Sequence, residues 1–216
     1  MSQFWSKSLT MGMILGAVAV VGLATPAAAT PFTVTNVNVN LPEIITLNTP
    51  VSVTAYVGQV ELTTTIGTLN VWCIDVYHDI ELGAGDLPYT TGSISTDFNG
   101  STLSTAQINE IAGLVDYGDA LLAAPGATST ESAGVQLAIW SVEYDNFSYS
   151  GASAATVAEA NKLIALAPTL SGSANAIIGL DGTQSFAADR IPEPASLAVL
   201  GCGLMGLRLV RRRRRG

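Results

Sequence analysis

Histidine occurs once in this sequence, cysteine twice, and basic residues are almost missing from its middle. Each scarcity excludes a class of function. With His78 the only imidazole, no Ser-His-Asp order and no zinc-binding spacing can be assembled, and there is no Gly-rich phosphate loop. Two cysteines, Cys73 and Cys202, are too few for a disulfide scaffold. Of nine Lys and Arg residues, only Lys162 and Arg190 lie between residues 30 and 190. Sixteen acidic residues share that stretch, a net of −14 that the whole-chain value of −8 conceals. Such a surface repels nucleic acid and anionic lipid, stays soluble and attracts divalent cations as counterions. One body lysine also disfavours a set of Lys–Asn isopeptide crosslinks. Neither a cofactor nor a metal is expected, and the chain reads as a non-enzyme. An exported hydrolase would need a carboxylate pair that sixteen acids do not single out.

The basic residues that do exist mark the ends. Residues 1–29 have the parts of a secretory signal: Lys7, an uncharged stretch from Leu9 to Ala24, and small residues at Ala27 and Ala29. Cleavage is expected between Ala29 and Thr30; the alternative is an N-terminal membrane anchor. At the other end, residues 191–216 carry Pro192, Glu193 and Pro194. The apolar run Ala195 to Leu207 follows, and then the block Arg211, Arg212, Arg213, Arg214 and Arg215. That run is short for a membrane helix, even with Arg208 snorkelling, and the arginines beside it would stay cytoplasmic. The three parts in this order resemble the PEP-CTERM sorting signal. The resemblance implies a C-terminal membrane helix recognised by an exosortase-type membrane peptidase. It further implies a transient inner-membrane intermediate, and then release to the surface or extracellular matrix of a Gram-negative bacterium. Cys202 would leave with the tail, and Cys73 would have no disulfide partner in the mature body.

Residues 30–190 are long enough for one domain with a sizeable core. From 31 to about 82 the chain is rich in Val, Thr and Ile, with period-2 runs such as Val37-Val39-Leu41 broken by Asn, Pro and Gly. Several antiparallel strands are expected there, the last over Val71 to Ile80. Residues 83–102 read as a loop with a short hairpin. Three helices follow. The first is capped by Ser104 with Gln107 three residues on, and carries the stripe Ile108, Ile111, Leu114, Val115, Leu121. The second is capped at Ser129 or Thr130, and Pro168 stops the third. The remainder reads as a weak strand or linker. The fold class is α+β: an N-terminal antiparallel sheet or sandwich followed by a small helical portion.

Two residues stand out in the body. On a strand from Val71 to Ile80, Cys73 would share the more polar face with Asp75, Tyr77 and Asp79, whereas a buried cysteine is ordinarily an inert core residue. His78 would project from the opposite face, which disfavours a Cys–His nucleophile pair. In "VQLAIW", Gln136 flanks the stripe Ala133, Leu137, Trp140, Tyr144, and a glutamine there is costly to bury unless its amide is bonded. It is either a satisfied structural residue or the partner of Cys73 in a thioester, formed when the thiolate displaces ammonia from the carboxamide. Trp72 and Trp140 would supply apolar walls, and few body amines exist to discharge the bond. Asp75, Asp79, Glu81 and Asp86 read as a solvated acidic edge rather than a calcium site.

The pair "WCID" and "QLAIW" resembles the thioester domains of bacterial surface adhesins, over about 70–145. Those domains combine an aromatic-Cys-Ile-Asp strand with a Thr-Gln-x-Ala-Ile-Trp segment; here Val135 stands at the Thr position. The resemblance implies a thioester between Cys73 and Gln136, with Trp72, Asp75 and Trp140 around it, and an amine or hydroxyl on a surface protein or polysaccharide as target. The function expected is covalent adhesion at the cell surface or in the matrix. The alternative is a non-covalent structural protein of the exopolysaccharide or biofilm matrix.

Overall fold

The computed structural model describes residues 31–94, 97–98, 101–189 and 191. The signal segment, the Pro-Glu-Pro motif, Cys202 and the arginine block lie outside the described residues. The body is α+β, with nine strands and three helices among the described residues. The strands are β1 (Phe32–Thr49), β2 (Val53–Thr64), β3 (Gly67–Cys73), β4 (Leu87–Ser93), β5 (Asp97–Phe98), β6 (Ser101–Thr102), β7 (Ser148–Ser150), β8 (Asn175–Gly179) and β9 (Phe186–Ala188). The helices are α1 (Thr105–Leu122), α2 (Ser129–Glu143) and α3 (Ala154–Leu166).

All strands pair antiparallel, in the order β2-β3-β9-β8-β4-β1-β7, with β5–β6 a separate small hairpin. The long β1 also pairs with β2, so the sheet closes on itself as a barrel and leaves β7 beside the far end of β1. One strand can serve three partners because it bends. A register shift between Val34 and Asn36 adds one residue to β1, which moves its buried positions from Phe32 and Val34 to Val37. The alternation seen in the sequence is therefore real but changes phase.

Two apolar clusters form on the two sides of β3. Val71 and Cys73 join the barrel interior with Val34, Ile45, Val60, Leu62, Tyr89 and Phe186. Trp72 and Ile74 face the helices, among Ile111, Leu114, Val115, Val135, Ile139 and Leu163. The helix α2 belongs to both: Ala133, Leu137, Trp140 and Tyr144 complete the first cluster, Val135, Ala138, Ile139 and Val142 the second. A helix apolar all round must be buried all round, and α2 is the central one here. Its approach to β2 requires Gly58, where a Cβ would stand 2.7 Å from Ser132 Oγ. That hydroxyl accepts from the Gln59 N–H at 2.9 Å and donates to the Asn40 carbonyl at 2.8 Å, fixing the first turn of α2 on the barrel.

The expected first-helix cap holds: Ser104 and Gln107 form a capping box. The second helix begins one residue earlier than expected, because Thr128 is the residue three before Glu131 and so closes a capping box with it. Residues 87–93, expected as loop, form β4, and the stretch expected as weak strand or linker supplies β8 and β9. Among the described residues, no helix is long and apolar enough to cross a membrane.

Candidate functional site

The strand expected over Val71 to Ile80 stops at Cys73. Asp75 stops it. Its carboxylate is fully buried and turns the chain by accepting from the Tyr77 N–H at 3.1 Å and the His78 N–H at 3.3 Å on Oδ1. Its Oδ2 meets His78 Nδ1 at 2.8 Å and accepts from the Ser185 N–H at 3.3 Å. Asp75 thus ties the end of β3 to the segment entering β9. The face assignments beyond Cys73 fall with the strand: Cys73 is not on a polar face but is a buried member of the barrel core.

Gln136 is 1 % exposed, and its carboxamide lies along the backbone of Cys73. Its Oε1 accepts from the Cys73 N–H at 2.9 Å, and its Nε2 donates to the Cys73 carbonyl at 2.8 Å. The two residues singled out in the sequence, 63 positions apart, are brought together. The arrangement has chemical direction. A backbone N–H on the amide oxygen polarises the carbonyl and supports the oxyanion that forms when a nucleophile adds to its carbon.

The sulfur has its own contacts. Cys73 Sγ donates to the Asp75 carbonyl at 3.2 Å, and it accepts from the Asp75 N–H at 3.4 Å and from Gln184 Nε2 at 3.0 Å. Gln184 also donates to the Asp75 carbonyl at 3.1 Å, and its own carbonyl accepts from the Tyr89 hydroxyl at 2.9 Å. Burial pushes that hydroxyl up to about 12, so Tyr89 remains a donor across the ordinary pH range. Burial likewise pushes the Cys73 thiol well above its usual value, against the Asp75 N–H, which favours the thiolate. At rest the group is a neutral thiol held by two donors that would steady it as a thiolate.

Trp140, Val37, Leu47, Val60 and Val76 wall a cleft of about 470 Å³ that also holds Cys73, Gln136 and Gln184 and is rimmed by Asp79 and Glu81. Trp72 does not wall it. Trp72 points to the other side of β3, and its indole N–H donates to Asp119 Oδ1 at 2.8 Å. Gly118 makes room for that ring, since a Cβ there would stand 2.7 Å from it. No three His, Cys, Asp or Glu side chains gather as a metal-binding set among the described residues.

Two residues of the site escape sequence reading. Gln184 lies in the stretch that reads as a weak strand or linker, and its contact with the sulfur spans 111 positions. Glu143 is buried on α2, and neither of its carboxyl oxygens has a hydrogen-bond partner. Its spacing from Gln136 is the one signal that could have found it: positions 140, 143 and 144 share the side of the helix that carries Gln136. Comparison with family models, with curated proteins and with solved structures finds no match.

Proposed function

We propose that this is an exported adhesin-like protein of the cell surface or extracellular matrix, whose body attaches covalently to its target through a Cys73–Gln136 thioester. The observation that carries the reading is the docking of the Gln136 carboxamide on the Cys73 backbone. Attack by Sγ on the carboxamide carbon expels ammonia and leaves an acyl group ready for a partner's amine or hydroxyl. The apolar walls of the cleft slow the competing attack by water, and Gln184 supports the sulfur as leaving group when the bond opens. The ends of the sequence supply the delivery: a secretory signal over 1–29, and a tail over 191–216 that an exosortase-type membrane peptidase removes after a passing stay in the inner membrane.

A second reading is favoured by the same two bonds. They bond both the oxygen and the nitrogen of Gln136, which is what a structural brace between α2 and β3 requires, and a non-covalent matrix protein needs no more. Intact mass separates the two. The thioester chain lacks one ammonia, resists thiol reagents when denatured in acid, and adds methylamine at Gln136; Cys73→Ala and Gln136→Ala each abolish the addition. Full thiol titration of fresh protein at unreduced mass would leave the structural reading standing.

A further inference from the structure

Forming the thioester moves one proton from sulfur to nitrogen, and opening it moves one back to sulfur. The contacts already described hold heavy atoms but transport nothing. Asp75 is occupied: its oxygens meet three backbone N–H groups and the His78 ring. Gln136 and Gln184 are amides without useful acid–base chemistry.

Glu143 is different. It is 3 % exposed, and both carboxyl oxygens are buried without a partner. Two further buried groups that meet no partner in hydrogen-bond geometry stand beside it, Trp140 Nε1 on α2, near Cys73, and the hydroxyl of Tyr144, the residue that caps the helix, near the Val76 backbone. The three lie four, seven and eight positions after Gln136, hence on one side of the helix. That side packs into the barrel cluster that contains Cys73, through Trp140 and Tyr144. An unsatisfied buried polar group destabilises a fold, so a cluster of them near one thiol is unfavourable for a purely structural core. The set has a donor indole, a donor-acceptor hydroxyl and a carboxyl, which suits a small molecule that both gives and takes hydrogen bonds, as ammonia and water do.

We infer that Glu143 is the proton carrier of thioester formation and opening, an inference that rests on the thioester reading above. The Glu143 carboxylate takes the proton of the Cys73 thiol. The sulfur lone pair forms the C–S bond to the Gln136 carboxamide carbon, and the carbonyl electron pair moves onto Oε1, which the Cys73 N–H holds. As the carbonyl re-forms, the C–N bond breaks and Glu143 returns its proton to the departing nitrogen, releasing ammonia. On opening, an incoming amine or hydroxyl gives its proton to Glu143 as it adds to the same carbon. The C–S bond breaks, and the thiolate of Cys73 takes that proton. Glu143 ends each sequence as it began, and nothing is oxidised or reduced.

The electrostatics suit the role. Burial pushes the Glu143 carboxyl well above the usual carboxylate range; the Tyr144 hydroxyl, near it but outside hydrogen-bond geometry, draws it back, and the charge of Asp75 raises it again. A raised carboxyl is a better proton acceptor from a thiol than an ordinary carboxylate, and general acid–base catalysis favours a value shifted in that direction. The titratable groups that bear on it are Asp75 and Cys73, from β3 and the turn after it, and Tyr144 from its own helix, with His78 paired behind Asp75.

The test follows methylamine uptake at Gln136 by intact mass over a range of pH, in purified wild type, Glu143→Gln and Glu143→Asp. The expected result is an uptake slowed by about 100-fold or more in Glu143→Gln, with a flattened pH profile or a chain that retains its ammonia, and partial rescue in Glu143→Asp. Uptake in Glu143→Gln at the wild-type rate and with the wild-type profile overturns the inference while the thioester stands. Wild type that never loses ammonia overturns the thioester reading and this inference with it. If Glu143→Gln does not fold, Glu143→Asp decides: an unshifted profile at an unchanged rate overturns the inference.

Discussion

Asp75 and Glu143 are two buried carboxylic acids whose charges both bear on one cysteine, and they have opposite surroundings. Asp75 is met by three backbone N–H groups and a histidine ring. Neither oxygen of Glu143 meets a partner in hydrogen-bond geometry, and only the Tyr144 hydroxyl nearby favours its charge. The first acid builds: it ends β3, turns the chain and anchors residue 185. The second builds nothing, and the fold tolerates it. A buried acid with every lone pair used is architecture, whereas one left open beside a thiol is the one to test for a chemical role.

The largest effect that tests this contrast is on stability. Asp75→Ala orphans three N–H groups and frees the His78 ring, so unfolding in urea should show a loss of about 3 kcal/mol or more. Glu143→Gln removes an acid whose ionised form the fold disfavours, without disturbing a hydrogen bond. Its sign follows from linkage: with the folded value raised, stability declines as pH rises above the unfolded value, and the amide escapes that decline. The variant should therefore match wild type in acid and hold its stability better than wild type as pH rises. Equal losses in the two variants would erase the distinction between the acids.

How far the sequence discloses this site depends on the range of the interactions. Local rules found the helices: the Ser104–Gln107 box and the apolar spacing of α1 and α2 need only neighbours in sequence. The Cys73–Gln136 pairing was legible because a lone cysteine and a glutamine inside "VQLAIW" are each odd in their own segment. The end of β3 was not legible. "CIDVYHDI" alternates like a strand, and only the Asp75 side chain, folding back on the N–H groups of residues 77 and 78, overrides that pattern. β4 was hidden for the reverse reason, since "LPYTTGS" has loop composition and becomes a strand through pairing with β8 and β1. Glu143 went unread because nothing in "WSVEYDN" shows that this acid is buried.

Asp119 lies between the two extremes and sharpens the comparison with the smallest effect. Its Oδ1 accepts from Trp72 Nε1 and Gln59 Nε2, each at 2.8 Å, so it has partners on one oxygen and is only partly enclosed. Burial pushes its carboxyl up to about 6 against the pull of those two donors, and the charges of Asp189 and Asp116 add to the rise. The folded chain therefore binds more protons than the unfolded chain between the ordinary value of 3.8 and about 6. Stability from this group is greatest below that window, falls as pH rises through it and is level above it. Discounted for partial exposure, the fall is on the order of 1 kcal/mol. Asp119→Asn keeps a carbonyl oxygen for both donors and removes the titration. Subtracting its urea-unfolding free energies from those of wild type, pH by pH, isolates the group from every other acid. The difference should slope through the window and flatten at both ends. A flat difference throughout would show that two donors on one oxygen already suffice to make a buried acid purely structural, and the boundary between the two kinds would then lie between Asp119 and Glu143.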